Sequence, residues 1–180
     1  MMTKTSIAVF GSSTASRDST HYRQARMLGA ALARRGAVIR CGGYDGVMEA
    51  VTIGARDAGG KVVGCTLEWF RENRLPNSRL SEVYEASDLA DRIGNLLAGT
   101  RAAVVLHGGV GTMNELFWVW TLLTFDRDDS PDALVLLGDH WDELLEFLGK
   151  RFEFPPELRA LVRVTRDPEE AAAIAWGERT

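Results

Sequence analysis

The amino-acid sequence predicts an α/β fold of the doubly wound, Rossmann-like type, with helices on both faces of one parallel sheet. Short apolar segments rich in β-branched residues alternate with helical segments along the chain, and most of the apolar segments end in glycine or another turn residue. The segment 101–109 lacks polar–apolar alternation, as expected for a strand covered on both faces. No linker, repeat or low-complexity tract interrupts the pattern, so we expect residues 1–180 to form one domain.

The first half of the chain contains three strand–helix units, because each apolar run is followed by apolar residues at helical spacing. The predicted elements are a strand at 6–11 (SIAVFG), a helix at 19–35, a strand at 37–43, a helix at 46–59, a strand at 61–67, a short strand or extended entry at 82–86 and a helix at 88–99. Between them, the charged segment 68–80 is long enough to be a functional loop, and its closure over a ligand is left open.

The second half repeats the same alternation and completes the sheet. The predicted elements are a strand at 101–109, a helix at 112–125, a strand at 133–138, a helix at 141–151, a strand at 161–165 and a helix at 168–176. Parallel strands joined by helices place all their carboxyl ends at one edge of the sheet, which is where such folds bind ligands.

Composition excludes several classes of function. The net charge is −4 and no basic block stands out, which argues against a nucleic-acid partner. No apolar run approaches membrane-spanning length and no signal peptide is evident, so we expect no membrane contact and a cytoplasmic protein. Cys41 and Cys65 form no CxxC pair, and the three histidines are scattered in sequence. Buried, reduced thiols, no metal site and no cofactor are therefore expected.

Three glycine-rich turns, at 11–13, 42–46 and 108–112, follow predicted strands and should meet at the ligand edge. Neither the dinucleotide spacing nor a P-loop lysine is present, so the third turn predicts a phosphate held by backbone N–H groups at a helix N-terminus, helped by the Thr112 hydroxyl. A purely structural set of turns is the alternative. The expected binding residues are Gly11, Ser12, Ser13, Gly42, Gly43, Gly46, Met48, His107, Gly108, Gly109, Val110, Gly111 and Thr112.

Glu115 and Arg92 each allow two interpretations. Thr112 to Glu115 fits a capping box, in which the glutamate bonds back to the N-cap amide and has a structural role. A carboxylate beside an anion site costs electrostatic energy, however, and a glutamine would cap equally well, so a catalytic role for Glu115 is the other interpretation. Arg92 lies on its helix beside the apolar stripe of Ile93 and Leu96, where it either is solvated or leans over the ligand edge.

The helix predicted at 112–125 is apolar nearly all the way round, which is unusual for a helix at a protein surface. We expect both Trp118 and Trp120 to be buried. A homodimer formed through this helix would explain the pattern, and burial within one subunit is the alternative.

The glycine turns also resemble those of the Lonely Guy (LOG) family, whose wider Rossmann-like superfamily was often mislabelled as lysine decarboxylases. The segment HGGVGTMNE at 107–115 resembles the family's PGGxGTxxE motif, with His107 in place of proline and Arg92 at the position of the family's helical arginine. VFGSSTA and CGGYDGVMEAVTIGARDAGGKVVG resemble two further segments, and the similarity covers roughly residues 6–138.

The resemblance implies a hydrolase that releases the base and ribose 5-phosphate from a nucleoside 5′-monophosphate. It implies that Glu115 and Arg92 are the catalytic pair, that the 108–112 loop holds the 5′-phosphate of an AMP-like nucleotide, and that Ser12 and Ser13 lie across the cleft. The alternative is a non-catalytic carrier that binds a nucleotide or molybdenum cofactor in the same pocket. His107 is either an additional acid or base or a cap on the loop.

A pyridoxal-dependent decarboxylase is not expected, because such enzymes need a lysine in the site for the Schiff base. The chain has only three lysines, Lys4, Lys61 and Lys150, and none is predicted at the glycine-rich edge.

Overall fold

The structure, a computed structural model, describes residues 5–125 and 130–178. Seven strands and seven α-helices alternate along the described chain, with one short 3₁₀ turn at Glu68–Phe70. The elements are β1 (Ser6–Phe10), α1 (Thr20–Arg34), β2 (Val38–Cys41), α2 (Val47–Asp57), β3 (Lys61–Leu67), β4 (Glu82–Ala86), α3 (Leu89–Leu97), β5 (Thr100–Val105), α4 (Val110–Leu123), β6 (Ala133–Leu137), α5 (His140–Arg151), α6 (Pro156–Ala160), β7 (Val162–Thr165) and α7 (Pro168–Trp176).

The seven strands form one sheet in the order β4-β3-β2-β1-β5-β6-β7, and every neighbouring pair is parallel. The chain builds outward from β1 to β4, then crosses back over the sheet to β5 and builds in the other direction. The predicted doubly wound, Rossmann-like fold is confirmed. Its order reverses between β1 and β5, and a crevice opens at such a point because the two flanking connections leave on opposite faces.

Alternate residues of the central strands supply two separate hydrophobic layers. In β1, Ile7 and Val9 pack with residues of α1, α2 and α7, whereas Ala8 and Phe10 pack with residues of α3, α4 and α5. All four side chains are almost completely buried. Burial on both faces explains why the central strands are apolar throughout rather than alternating.

Helices α1 and α2 approach each other closely at two glycines. A Cβ added to Gly54 would lie 1.9 Å from the carbonyl oxygen of Arg26, and one added to Gly29 would lie 2.2 Å from that of Val51. No side chain fits at those distances, so the absence of a side chain at both positions lets the two backbones touch. This contact fixes the position of α2, whose first turn borders the ligand edge.

At the opposite edge of the sheet, short turns lead from helices into strands. Gly36, Gly59 and Gly99 adopt positive φ angles of 81°, 80° and 64°, and a Cβ at any of them would meet no atom within 4 Å. These turns therefore require glycine for their backbone conformation and not for packing.

The predicted elements are all present, with ends that differ by a few residues. Helix α4 begins at Val110 instead of residue 112 and β5 ends at Val105, so the connection between them is residues 106–109 and lies earlier in the chain than expected. The segment 82–86 is a strand. The 3₁₀ turn and α6 were not predicted, because their short apolar content shows no helical periodicity. No helix within residues 5–125 and 130–178 is both long and apolar enough to cross a bilayer.

We expect Gly54→Ala to lower the free energy of unfolding by about 1–3 kcal/mol, because the new methyl group forces α1 and α2 apart. Gly149→Ala is the matched control: Gly149 also lies within a helix, α5, but a Cβ there meets nothing within 4 Å. That control should be neutral or stabilising by up to about 1 kcal/mol. Urea denaturation of the three proteins checks this, and equal losses in both variants would contradict the close helix contact.

Candidate active site

A cavity of about 420 Å³ opens at the carboxyl ends of β1, β2, β3 and β5, at the point where the strand order reverses. Most of the residues expected from sequence lie together around it. Those that line the cavity are Gly11, Ser12, Ser13, Gly42, Met48, Arg92, Gly109, Val110, Gly111, Thr112 and Glu115. Four expected residues, Gly43, Gly46, His107 and Gly108, do not line it.

The turn after β1 is tied to both of the other glycine turns. The Ser12 N–H donates to the His107 carbonyl oxygen at 2.9 Å, and the Ser12 carbonyl accepts from the Val47 N–H at 2.8 Å. Within the turn, the Thr14 N–H donates to the Ser12 hydroxyl at 3.1 Å. These bonds fix three separate chain segments in one arrangement around the cavity.

Helix α4 presents its N-terminus to the cavity. It begins at Val110 after Gly109, and no side chain of the described residues caps its first turn. The first N–H groups of a helix have no partner inside the helix, so the amides of 110–112 are available to an anion. Thr112 is buried against Gly108, where an added Cβ would lie 2.1 Å from the Thr112 hydroxyl oxygen.

The three expected glycines outside the cavity shape the turns that surround it. Gly46 has a φ of 65°, and a Cβ there would lie 2.4 Å from the Ser12 carbonyl oxygen that receives the Val47 N–H. Gly43 has a φ of 79° and packs on the backbone of Gly64. Their contribution is therefore to the path of the backbone rather than to the cavity wall.

Arg92 and Glu115 form an ion pair in the wall of the cavity. The Arg92 Nη1 donates to the Glu115 Oε1 at 3.1 Å, and its Nε donates to the Cys65 carbonyl oxygen at 2.8 Å. The side chains are only 16% and 9% exposed. Arg92 is therefore not the solvated helical arginine of the alternative interpretation.

The capping-box interpretation of Glu115 is wrong. Because α4 begins two residues before Thr112, Glu115 lies in the second turn of the helix, and its carboxylate bonds to Arg92. Burial raises the pKa of Glu115 to about 7, although the neighbouring Arg92 acts in the opposite direction. A carboxyl group with a pKa near neutrality can exchange a proton at physiological pH, as a general acid or base must.

His107 lies outside the cavity and stacks on His21, with ring centroids 4.4 Å apart and planes 10° from parallel. The ring of His140 stands edge-on to His107, with ring centroids 5.1 Å apart. All three histidines of the chain therefore form one cluster next to the turn that leads from β5 into α4. Sequence reasoning missed this cluster because its members come from three different elements. No group of three potential ligands within the described residues could hold a metal ion.

Both ring nitrogens of His140 are buried without a hydrogen-bond partner in the described chain. Burial lowers the pKa of His140 and of His21, and the neighbouring His107 lowers both further. His21 and His140 therefore favour the neutral form.

Helix α4 is covered on one side only. Trp120 is buried and its Nε1 donates to the Leu158 carbonyl oxygen at 2.9 Å. Trp118 is 44% exposed in the single chain, so burial of both tryptophans within one subunit, the alternative to a dimer, is wrong. The helix packs on the sheet through Leu116 and Val119, and Trp118 projects from the outer side. There it lines a shallow pocket with Phe117 and Leu122.

Neither the cysteines nor the lysines of the described chain supply a reactive group to the cavity. Cys41 and Cys65 are buried free thiols, and burial raises the pKa of both. Lys61 begins β3 and Lys150 lies near the end of α5, and neither lines the cavity, while Lys4 lies outside the described residues. The cavity thus offers no lysine of the described chain for a pyridoxal Schiff base.

Comparisons with known proteins agree on the family. A protein-family model described as "Possible lysine decarboxylase" matches residues 48–174. A cytokinin riboside 5′-monophosphate phosphoribohydrolase of Arabidopsis thaliana is 28% identical over 148 residues, which cover 82% of this chain and 69% of that protein. The enzyme of the same name from Mycobacterium tuberculosis is 33% identical over 123 residues, covering 68% of this chain and 66% of that protein.

Among solved structures, the molybdenum cofactor binding protein of Rippkaea orientalis superposes with a TM-score of 0.76. It is 20% identical, and the alignment covers 97% of this chain and 96% of that one. At this identity the likeness supports the fold alone.

Protonation of His21 and His140 should lower the free energy of unfolding as the pH is lowered from 7.5 to 5.5, because their pKa values are lower in the folded chain and the unfolded chain binds more protons at these two residues. The raised pKa of Glu115 acts in the opposite direction over the same range, so the contribution of the histidines is read from a variant that lacks one of them. Their contribution is complete above the unfolded pKa of about 6.5 and is lost as the pH falls through the folded values. His140→Phe keeps a ring and removes one titration, so its stability should fall less over this range. Urea denaturation at several pH values measures the slopes, and parallel slopes would contradict the interpretation.

Proposed function

Because this chain belongs to the LOG family, the one whose model is described as possible lysine decarboxylase, we propose that it is a phosphoribohydrolase acting on a nucleoside 5′-monophosphate. Water would replace the base at C1′ of the ribose, and the products would be the free base and ribose 5-phosphate. The observation that carries the proposal is the buried Arg92–Glu115 pair in the wall of a cavity whose rim is an uncapped helix N-terminus.

The 5′-phosphate would bind at the first turn of α4. Backbone N–H groups there face the cavity, and the helix dipole favours an anion. The Thr112 hydroxyl and the turn at Ser12 and Ser13 line the same space and would complete the set of donors. Phosphate held in this way needs no lysine or metal ion from the protein.

Glu115 would act on the ribose. Breaking an N-glycosidic bond develops positive charge on C1′ and the ring oxygen, and a nearby carboxylate stabilises that charge. The same carboxylate can accept a proton from the attacking water, while the departing base takes up a proton. With its pKa raised to about 7, Glu115 is a stronger base than an ordinary carboxylate and is still substantially ionised at neutral pH.

Arg92 would hold Glu115 in position and favour its ionised form. Its guanidinium is itself held by the Cys65 carbonyl and lies against Gly42, where an added Cβ would be 2.3 Å from Nη2. It can also bind a ribose hydroxyl or the attacking water, because a guanidinium has five N–H donors and only some are used here.

A carrier that binds a nucleotide or molybdenum cofactor without turnover is the alternative. The molybdenum cofactor binding protein of Rippkaea orientalis and the molybdenum cofactor carrier protein of Chlamydomonas reinhardtii share the fold at 20% and 22% identity. A carrier has no need of a buried carboxylate beside its ligand, and this favours the hydrolase. Mass spectrometry of ligands that copurify with the protein separates the two, since a carrier should retain its intact ligand.

We propose that a second copy of this chain packs against α4 to form a homodimer. Phe117, Trp118 and Leu122 form an apolar strip on its outer side, and Phe125, just beyond the helix, is 62% exposed. An apolar strip of this kind on a helix is typical of a subunit contact.

Glu115→Gln should reduce the release of ribose 5-phosphate from a nucleoside 5′-monophosphate by about 100- to 10,000-fold, because the amide neither stabilises positive charge nor accepts the proton of water. For the wild type, kcat/KM should rise as the pH increases through about 7, since only the ionised carboxylate is active.

Glu49→Gln is the control for this substitution. Glu49 is another shielded carboxylate with an arginine partner, Arg17, but it does not line the cavity. Turnover should therefore survive Glu49→Gln. Turnover that also survives Glu115→Gln, or that falls as the pH rises through 7, would refute the assigned role.

Trp118→Lys should convert the proposed dimer into a monomer, because it places a charge within the apolar strip on α4. Trp69→Lys is the matched control, since Trp69 is 61% exposed but lies in the loop after β3. Light scattering during size-exclusion chromatography measures the mass of each. A monomeric wild type, or loss of the dimer in both variants, would contradict a contact through α4.

A further inference from the structure

Part of the cavity wall, away from the first turn of α4 in sequence, is lined by aromatic and apolar side chains. Tyr44, Phe70 and Leu67 belong to it, together with Met48 and Leu89. Arg74 is the only cation there besides Arg92 among the described lining residues. An apolar slot with one cationic donor suits a planar heterocyclic ring that has hydrogen-bond acceptors on one edge.

Tyr44 is a rigid part of this wall. It is 3% exposed, and its hydroxyl oxygen accepts the Leu67 N–H at 2.9 Å, which prevents the ring from swinging. Phe70 stands edge-on to it, with ring centroids 5.9 Å apart and planes at 74°. Phe70 is 39% exposed and so leaves aromatic surface for a ligand.

Arg74 differs from its neighbours in the loop at 68–80. Arg71 pairs with Glu85, and Arg79 lies 3.4 Å from Asp57. Arg74 has no carboxylate partner among the described residues and is instead held over the Tyr44 ring, with its Cζ 4.8 Å from the centroid. The one arginine of this loop that lines the cavity is thus the one whose N–H groups remain available for a ligand.

The backbone of the loop holds Arg74 in place. The Arg74 N–H donates to the Phe70 carbonyl at 2.7 Å, and the Asn77 N–H donates to the Gly43 carbonyl at 2.8 Å. The second bond fastens the loop to the turn after β2, next to Tyr44. Arg74 and Phe70 therefore keep a defined position relative to the ring that they contact.

We infer that Arg74, supported by Tyr44 and Phe70, selects the base and favours a 6-oxopurine nucleotide, such as IMP, over AMP. The inference rests on the proposed function. A guanidinium only donates hydrogen bonds, and a 6-oxopurine presents two adjacent acceptors, O6 and N7, to such a fork. A 6-aminopurine places an N–H donor beside N7, so one arm of the fork meets a donor. This edge of the cavity accordingly disfavours the AMP-like ligand expected from sequence.

The decisive experiment compares IMP and AMP, both as substrates and as ligands. For the wild type, kcat/KM for ribose 5-phosphate release should be about tenfold to a hundredfold higher with IMP than with AMP, and calorimetric affinities should show the same order. Arg74→Gln should reverse the preference, because a glutamine amide can accept from N6 and donate to N7 of adenine. Arg74→Met, which keeps apolar contact with Tyr44, should abolish it.

Arg71→Gln is the control, because Arg71 belongs to the same loop and does not line the cavity. It should leave the ratio of IMP to AMP unchanged. The inference would be overturned, with the hydrolase left intact, if the wild type turned over both nucleotides equally or preferred AMP. It would also be overturned if Arg71→Gln shifted the ratio as Arg74→Gln does. An IMP preference in binding without turnover would support the inference and refute the hydrolase. Binding of neither nucleotide would overturn both.

Discussion

The Arg92 guanidinium joins the parts of the chain from which the cleft is built. It comes from α3, bonds the end of β3 through the Cys65 carbonyl, bonds α4 through Glu115 and lies against the turn after β2 at Gly42. Taking two charged groups out of water costs free energy that their attraction only partly offsets, so such a pair contributes little to stability. Its value here is geometric: a carboxylate is held at one place in the wall of a cavity.

The Arg92–Glu115 pair also allows a bound anion and a carboxylate to lie close together at the start of α4. An anion at the first turn of α4 and the buried carboxylate of Glu115 in the second turn of the same helix repel one another. The positive charge of Arg92 compensates for this, and the backbone N–H groups at the helix N-terminus add a partial positive charge on the side of the anion. A site for a sugar phosphate with a working carboxylate needs this balance.

The fold was predictable because burial on both faces of a parallel sheet leaves a strong signal, namely apolar runs such as 101–105 that alternate with helices. The convergence of the glycine turns followed from topology, and Arg92 and Glu115 followed from a motif. Predictions that needed a helix to begin at one particular residue were weaker. A start at Val110 instead of residue 112 was enough to exclude the capping box.

The sequence alone could not predict contacts between segments that lie far apart along the chain. His21, His107 and His140 meet only because three loops leave the same edge of the sheet, and no spacing along the chain encodes this. The exposure of Trp118 depends on which side of α4 faces the sheet, and a helix that is apolar all round does not reveal that. The availability of Arg74 depends on which of the loop's arginines finds an acid.

The turns at Gly36, Gly59 and Gly99 mark one edge of the sheet that should tolerate insertions, in contrast to the edge that carries the cavity. The residues that line the cavity lie at the carboxyl-terminal edge of the sheet, whereas these turns lie at the opposite edge, where a Cβ added to any of the three glycines meets no atom within 4 Å. A chain opened or extended there should keep its sheet order and its ligand edge, because the turns lie at the edge of the sheet opposite the cavity and the three glycines themselves need only their backbone conformation. Fluorescent labels, affinity tags or new termini from circular permutation can therefore be introduced at this end of the protein while the cleft is studied at the other.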